Sequence, residues 1–289
     1  MRLSIEHTTH YRFGQPAHHS IQYLRLTPRA DSSQSVIAWT VTTPGKLKRW
    51  IDGFGNVAHV SVQNGVHDEL PVTVRGEVET IDTCGMLPAD DGLPPLMFLR
   101  ATPYTEVTPA VAEFAKPFRE RAEDEGTIAA LHGLMLGVHT AVAYRPGFTD
   151  AQTSASEALE QASGVCQDHA HLFIACCRVI GVPARYVSGY LYTETEEHQS
   201  LGSHAWAEAH IDDKIGWVSF DPTNSRSATD AYVRLAVAFD YGGASPIRGI
   251  RKGGGVEEMS VRVSVVEEPG LFQSQGQSAG FQDQKQGPR

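Results

Sequence analysis

Apolar and polar positions alternate from the start of the chain. Leu3, Ile5, His7, Thr9, Tyr11 and Phe13 fall on one face of a period-2 pattern, the mark of a strand with one buried face. Short runs of the same kind follow at 21–26, 36–41, 57–62 and 72–78, separated by turn residues at Gly14 to Pro16, Pro44-Gly45, Gly53 to Asn56 and Asn64-Gly65. Several short strands with no helix between them predict a β-sandwich-like domain over 1–81. Between 82 and 108, Pro88, Pro94, Pro95 and Pro103 disfavour helix and sheet interiors, so a linker is expected there.

The pattern then takes the helical period. Thr108-Pro109 reads as an N-cap with proline at the first helical position, and Val111, Phe114 and Phe118 share a face, although Pro117 should kink or end that helix. A second helix is expected over 127–144, where Ile128, Leu131, Met135, Val138 and Val142 make one apolar stripe. Ser154 with Glu157 matches a capping box for a short third helix ending near Gly164, and a fourth begins around Cys166. Strands return at 185–192, 203–211, 217–221 and 256–266. The residues from 267 to 289 are rich in Gln, Gly and Ser, and a disordered tail is expected. The expected fold class is α+β: an N-terminal β-sandwich-like domain (1–81), a linker (82–108), and a unit of helices packed on an antiparallel sheet (109–266).

Composition narrows the function. Against 24 basic residues stand 34 acidic ones, a net charge of −10 over 289 residues. Affinity for phosphate backbones and acidic lipid surfaces rests on Lys and Arg, so neither nucleic acid nor membrane is an expected partner. The start MRLSIEHTTHYRF has no apolar core of a signal peptide, and no run approaches the roughly 18 to 20 apolar residues of a membrane span. Cys84, Cys166, Cys176 and Cys177 fit neither a zinc spacing nor a disulfide framework. A soluble cytoplasmic protein with reduced thiols is expected.

Among the thiols, Cys166 stands apart. It follows Ser163-Gly164-Val165 and so falls in the first turn of a helix, where unpaired N–H groups and the helix dipole favour a thiolate. Cys176 and Cys177 lie mid-helix among apolar residues and read as small buried hydrophobes. A base is found downstream. In the strand from Ser203, alternation puts His204, Trp206, Glu208 and His210 on one face, and a two-residue turn centred on Asp212-Asp213 would set His204 directly opposite Asp221. A carboxylate there could orient the imidazole. A metal site at Asp168-His169-Ala170-His171 is a rival, but helix residues two apart point to nearly opposite sides. His7, His10, His18 and His19 are expected in packed or solvated roles.

Four blocks occur in order: Gly164-Val165-Cys166-Gln167-Asp168, Gly181-Val182-Pro183-Ala184-Arg185-Tyr186-Val187-Ser188-Gly189-Tyr190, Ser203-His204-Ala205-Trp206, and Trp217-Val218-Ser219-Phe220-Asp221-Pro222-Thr223. Together they resemble the core of bacterial transglutaminase-like proteins, which are papain-like Cys-His-Asp enzymes. Asp52-Gly53-Phe54-Gly55-Asn56 resembles part of the N-terminal region that accompanies this core, and Asp240-Tyr241 with Ser245-Pro246-Ile247-Arg248-Gly249 resembles its closing segment. The resemblance implies Cys166 as nucleophile, His204 as base and later acid, and Asp221 as the group orienting His204. It implies acyl transfer at an amide of a peptide or protein substrate, with no metal or organic cofactor. Hydrolysis, as in a cysteine protease, is favoured because water is always available. Transamidation onto an amine acceptor is the alternative, and a non-catalytic peptide-binding module is a second. The backbone N–H of Cys166 would be one oxyanion donor, with Tyr144 or Gln167 as candidates for another, while Asp168 would cap the helix and oppose the thiolate. The N-terminal region is expected to shape the cleft or recognise a partner.

Overall fold

The computed structural model describes residues 1–194 and 203–268, so the expected tail at 267–289 lies almost wholly outside the described residues. The chain opens with four strands: β1 (Arg2–Thr27), β2 (Gln34–Thr42), β3 (Lys46–Ile51) and β4 (Val57–Thr80). β1 and β4 are much longer than the runs predicted for them, because the stretches at Gly14 to Pro16 and Asn64-Gly65 are not hairpin turns. Gly14 to Pro16 lie across from Asp68, where the register shifts between Arg12 and Ala17, and Asn64 pairs with His19 just after the next shift. Residues able to close a turn instead form two successive bulges, one on each strand, and a continuous ribbon bends there. β3, mostly exposed and without apolar alternation, has no counterpart among the predicted strands.

The proline-rich segment is more than a connection. Met86–Leu87 forms β5, which pairs with a strand of the second sheet, and two short 3₁₀ turns follow at Pro95–Leu99 and Pro103–Thr105. α1 (Pro109–Glu125) starts as expected, with the Thr108 hydroxyl accepting from the N–H of Val111. Pro117 sits inside this helix instead of ending it. Val111, Phe114, Ala115 and Phe118 pack into the core on either side of it, and that burial holds the helix together despite the missing backbone bond.

α2 (Thr127–Ala141), β6 (Ala143–Tyr144), α3 (Ala155–Gln161), β7 (Ser163–Gly164) and α4 (Cys166–Ile180) follow. The capping box of α3 forms, Ser154 and Glu157 each accepting from the other's N–H. The strands β8 (Ala184–Leu191), β9 (Ser203–His210), β10 (Trp217–Phe220) and β11 (Tyr232–Ala238) make a sheet of order β11-β8-β9-β10-β5. Ala205, Ala207 and Ala209, the small residues on one face of β9, meet Phe173 and Cys177 of α4 in the main core. Small side chains there let the helix sit close to the sheet.

After the four-residue α5 (Tyr241–Ala244) come β12 (Ile247–Gly253) and β13 (Glu257–Glu267). The sequence placed the last strand in the second unit, but both β12 and β13 pair antiparallel with β1 and complete a six-stranded N-terminal sheet. That sheet packs its apolar face, including Leu3, Ile5, Leu24, Val74 and Val263, against Tyr190, Val233 and Leu235 of β8 and β11. Its second layer is therefore the sheet of β8 and β11. No helix among the described residues is long and apolar enough to cross a membrane.

A buried charge cluster ties the parts together. Glu208 of β9 accepts from Arg185 Nε at 2.7 Å and Arg234 Nη1 at 3.2 Å, while Asp91 of the proline-rich segment pairs with Arg185 and Asp31 with Arg234. Arg185 is fully buried and stacks 3.8 Å above Trp217. Glu208→Ala would leave these guanidinium groups desolvated with one anion fewer. Urea denaturation is expected to show a loss of about 3–5 kcal/mol, the cost of breaking a buried pair from one side, and an unchanged midpoint would refute it.

Candidate active site

Local chemistry fixes the start of α4. β7 pairs in parallel with β6, Tyr144 opposite Gly164. Val165 has no side-chain oxygen to cap the helix, and Asp168 does so by accepting the Val165 N–H at 2.8 Å and the Thr149 hydroxyl at 2.7 Å. A Cβ on Gly164 would lie 2.7 Å from that of Asp168, so the position admits only glycine. The predicted capping role is thus present. Burial pushes the Asp168 carboxyl above the usual range, which weakens its opposition to a thiolate at Cys166. Cys166, half-buried in the first turn, has a backbone N–H with no partner inside the helix.

His204 and Asp221 meet, but not by the predicted register. Trp217 pairs with His210 and Phe220 with Ala207, because residues 211–216 form a longer connection in which Ile211 donates to Gly216 and Gly216 to Asp212. Asp221 is therefore displaced by two residues from the position opposite His204. A diagonal pair of this kind is within reach of long side chains. β10 has ended at Phe220, and Asp221 opens a turn in which its N–H donates to Arg226. His204 Nε2 donates to Asp221 Oδ2 at 2.7 Å, with the two side chains 8% and 0% exposed. The other side of the ring is open to the cleft that His204 shares with Cys166, and the charge of Cys166 helps raise the His204 pKa.

Asp221 is held by more than His204. Its Oδ2 also accepts from the Tyr232 hydroxyl at 2.7 Å and from Asn224 Nδ2 at 2.6 Å, and its Oδ1 from the N–H groups of Thr223 and Asn224 at 2.9 and 3.2 Å. Burial alone would raise this carboxyl, but the bonds and the His204 charge hold it below its ordinary value. For His204, burial disfavours the charged ring, and the bonds and charges of Asp221 and Cys166 outweigh it, so its pKa is raised.

Asn224 and Tyr232 were not anticipated. Asn224 sits just past the quoted Asp221-Pro222-Thr223 block and was legible as a turn residue able to reach back, whereas Tyr232 carries no local signal. Behind them, His169 Nε2 donates to the Val142 carbonyl at 2.8 Å and its Nδ1 meets the Thr223 hydroxyl at 2.9 Å. His171 accepts the Tyr241 N–H at 3.0 Å. Both histidines considered for a metal are thus engaged with separate parts of the fold.

Two clefts meet at His204. One, of about 300 Å³, contains Cys166, Gln167 and His204 between β8 and the N-terminal sheet. The other, of about 270 Å³, contains His204 with Tyr144, Thr223 and Asn224. The two candidate oxyanion donors therefore line different clefts. Gln167 lines the first cleft, its buried Nε2 without a partner among the described residues, and Tyr144 lines the second.

A cysteine at the head of a buried helix, facing a histidine from an antiparallel sheet with a β-rich region alongside, defines a transglutaminase-like core with an accessory sheet. Comparison with known proteins agrees. The transglutaminase-like superfamily matches residues 112–222, and the bacterial transglutaminase-like N-terminal region matches residues 3–79, which are strands β1 to β4. The uncharacterized protein ML0607 of Mycobacterium leprae is 32% identical over 284 residues, 91% of this chain and 98% of that one. Rv2569c of Mycobacterium tuberculosis, also uncharacterized, is 30% identical over 275 residues, 86% of this chain and 87% of that one. A solved structure of a candidate cysteine protease from Cytophaga hutchinsonii superposes with a TM-score of 0.72 at 21% identity, covering 94% of this chain and 92% of its own. The chain belongs to the transglutaminase-like superfamily.

Proposed function

We propose that the protein is a thiol-dependent amide hydrolase acting on peptide or isopeptide bonds, with Cys166, His204 and Asp221 as its catalytic triad. His204 supports this most directly, since Asp221 holds one ring nitrogen at 2.7 Å and the ring lines the same cleft as Cys166. The Cys166 thiolate attacks the amide carbonyl carbon, and the oxyanion formed is met by the Cys166 N–H. As the C–N bond breaks, protonated His204 gives its proton to the departing amine and a thioester remains. Water then loses a proton to His204 and attacks the thioester. The carboxylic acid leaves and the thiolate–imidazolium pair returns.

The second cleft favours one further reading. It meets the first cleft at His204, so an amine held there would lie beside the imidazole that would take its proton. Incubating the protein with a peptide mixture, with and without a soluble primary amine, separates the two by mass spectrometry. Free acids in both samples are expected. Amine adducts replacing the acids would move the assignment to transamidation, and identical products from Cys166→Ala would remove catalysis by this thiol.

A further inference from the structure

The cleft at Cys166 has a wall that the triad chemistry does not require. On β13, Met259, Val261, Val263 and Val265 share one face of the strand, opposite Tyr11, Thr9, His7 and Ile5 of β1. Val263 and Val265 are buried in the contact with the catalytic sheet. Met259 and Val261 continue the same apolar face beyond that contact and are 59% and 45% exposed. Their neighbours on the other face, Glu258, Ser260 and Arg262, are polar, as solvent demands. Neither core packing nor solvation explains the two apolar residues. Both line the cleft that holds Cys166 and His204, next to Ile247 of β12.

Among the described residues, the rest of the lining is uncharged. Tyr11, Tyr186 and Tyr241 are each shifted upward, chiefly by burial, and stay neutral. His7 is buried with Nδ1 on the Tyr190 hydroxyl at 2.8 Å and Nε2 on the Thr9 hydroxyl at 2.9 Å, and burial takes it down to about 4. Apart from the Cys166–His204 pair, no side chain among the described residues lining this cleft carries a formal charge at neutral pH. A charged substrate side chain placed here would lose its hydration and find no counter-ion, while an apolar one would cover Met259 and Val261.

We propose that this cleft selects an amide donor whose side chain beside the scissile carbonyl is apolar, and that Met259 and Val261 of the N-terminal sheet determine that specificity. The inference rests on Cys166 being the reacting thiol. It also gives the accessory sheet a role, since its last strand, made by the C-terminal part of the chain, closes the substrate cleft.

The test uses N-acetyl-leucyl, aspartyl and lysyl chloromethyl ketones, from which the Cys166 thiolate displaces chloride to form a thioether. Labelling of Cys166 is followed by peptide mass spectrometry, each rate being divided by that of iodoacetamide, which has no side chain. The leucyl reagent is expected to exceed the other two by about tenfold to a hundredfold, the equivalent of burying one leucine-sized side chain. In Met259→Asp that ratio is expected to collapse, with the lysyl reagent gaining on the leucyl one. Val261→Thr, a near-isosteric change, should lower the ratio as well and serves if the aspartate disturbs folding. Equal normalised rates in the native protein, or a preference untouched by both variants, overturn the specificity while leaving the acyl-transfer reading in place. Iodoacetamide labelling of Cys166 no faster than that of Cys84 overturns that reading, and the specificity with it.

Discussion

His204→Ala is expected to abolish the rapid alkylation of Cys166 below pH 7 and to lower amide turnover on the order of 10⁴-fold, the upper range for a positioned acid and base. Asp221 and the Cys166 charge raise His204 against the effect of its burial, so an imidazolium is expected at neutral pH, and the proposed pair with Cys166 is what the labelling tests. The sign is fixed by that direction: the pair exists below the raised value and is lost as His204 gives up its proton above it. An ordinary thiol becomes reactive only towards about pH 8.5. Labelling by iodoacetamide from about pH 5 to pH 9 therefore separates the thiols within one molecule. Cys176 and Cys177 are fully buried with their thiols pushed upward by that burial, and should remain silent. Cys84 is exposed and provides the internal reference. Removing the imidazole should leave Cys166 following Cys84, while fast labelling at low pH that survives in His204→Ala would refute the pair. The substitution leaves Asp221 four other donors, so the fold around it is expected to persist.

How much of this was legible in the sequence depended on range. The start of α4 was readable because its determinants are consecutive: Ser163-Gly164-Val165 lead into the helix, and Asp168 reaches back one turn. The capping box of α3 and the Pro109 start of α1 are local in the same sense. Alternation along β9 correctly separated the alanines facing α4 from Glu208 in the charge cluster. Register was beyond reach, because it depends on a connection whose length is set by the Asp212 side chain accepting from the N–H groups of Lys214 and Ile215. The two-residue turn was the wrong choice, yet the same pair of side chains met through a diagonal contact. The pairing of β12 and β13 with β1 joins residues more than 220 positions apart in the chain, and no local pattern encodes it. For that reason Met259 and Val261 read as ordinary strand residues until the sheet brings them beside Cys166.

Asp221→Asn is expected to lower kcat by about 10⁴-fold, the effect of replacing an orienting carboxylate by its amide, with a loss of stability alongside. The reason is a count of donors. Oδ2 of Asp221 accepts from His204, Tyr232 and Asn224, and Oδ1 from two backbone N–H groups. All five groups donate, and an asparagine has one oxygen to offer. If its oxygen faces the Thr223 and Asn224 backbone, its NH₂ meets three donors, and the imidazole is free to turn or adopt the wrong tautomer. If the amide flips, two backbone N–H groups are left buried without acceptors. The lowered pKa of Asp221 gives the same direction. Its ionised form stabilises the fold above the ordinary carboxylate range and that contribution is lost as pH falls through the lowered value, whereas the asparagine variant lacks it at every pH. Tyr232→Phe, which removes a single donor from Oδ2, is expected to cost far less turnover and to leave the labelling advantage of Cys166 intact. Turnover measured in the three proteins, with urea denaturation beside it, distinguishes orientation from mere structure. If Asp221→Asn kept native turnover, His204 would need another group to orient it, and the assignment of the carboxylate would fail.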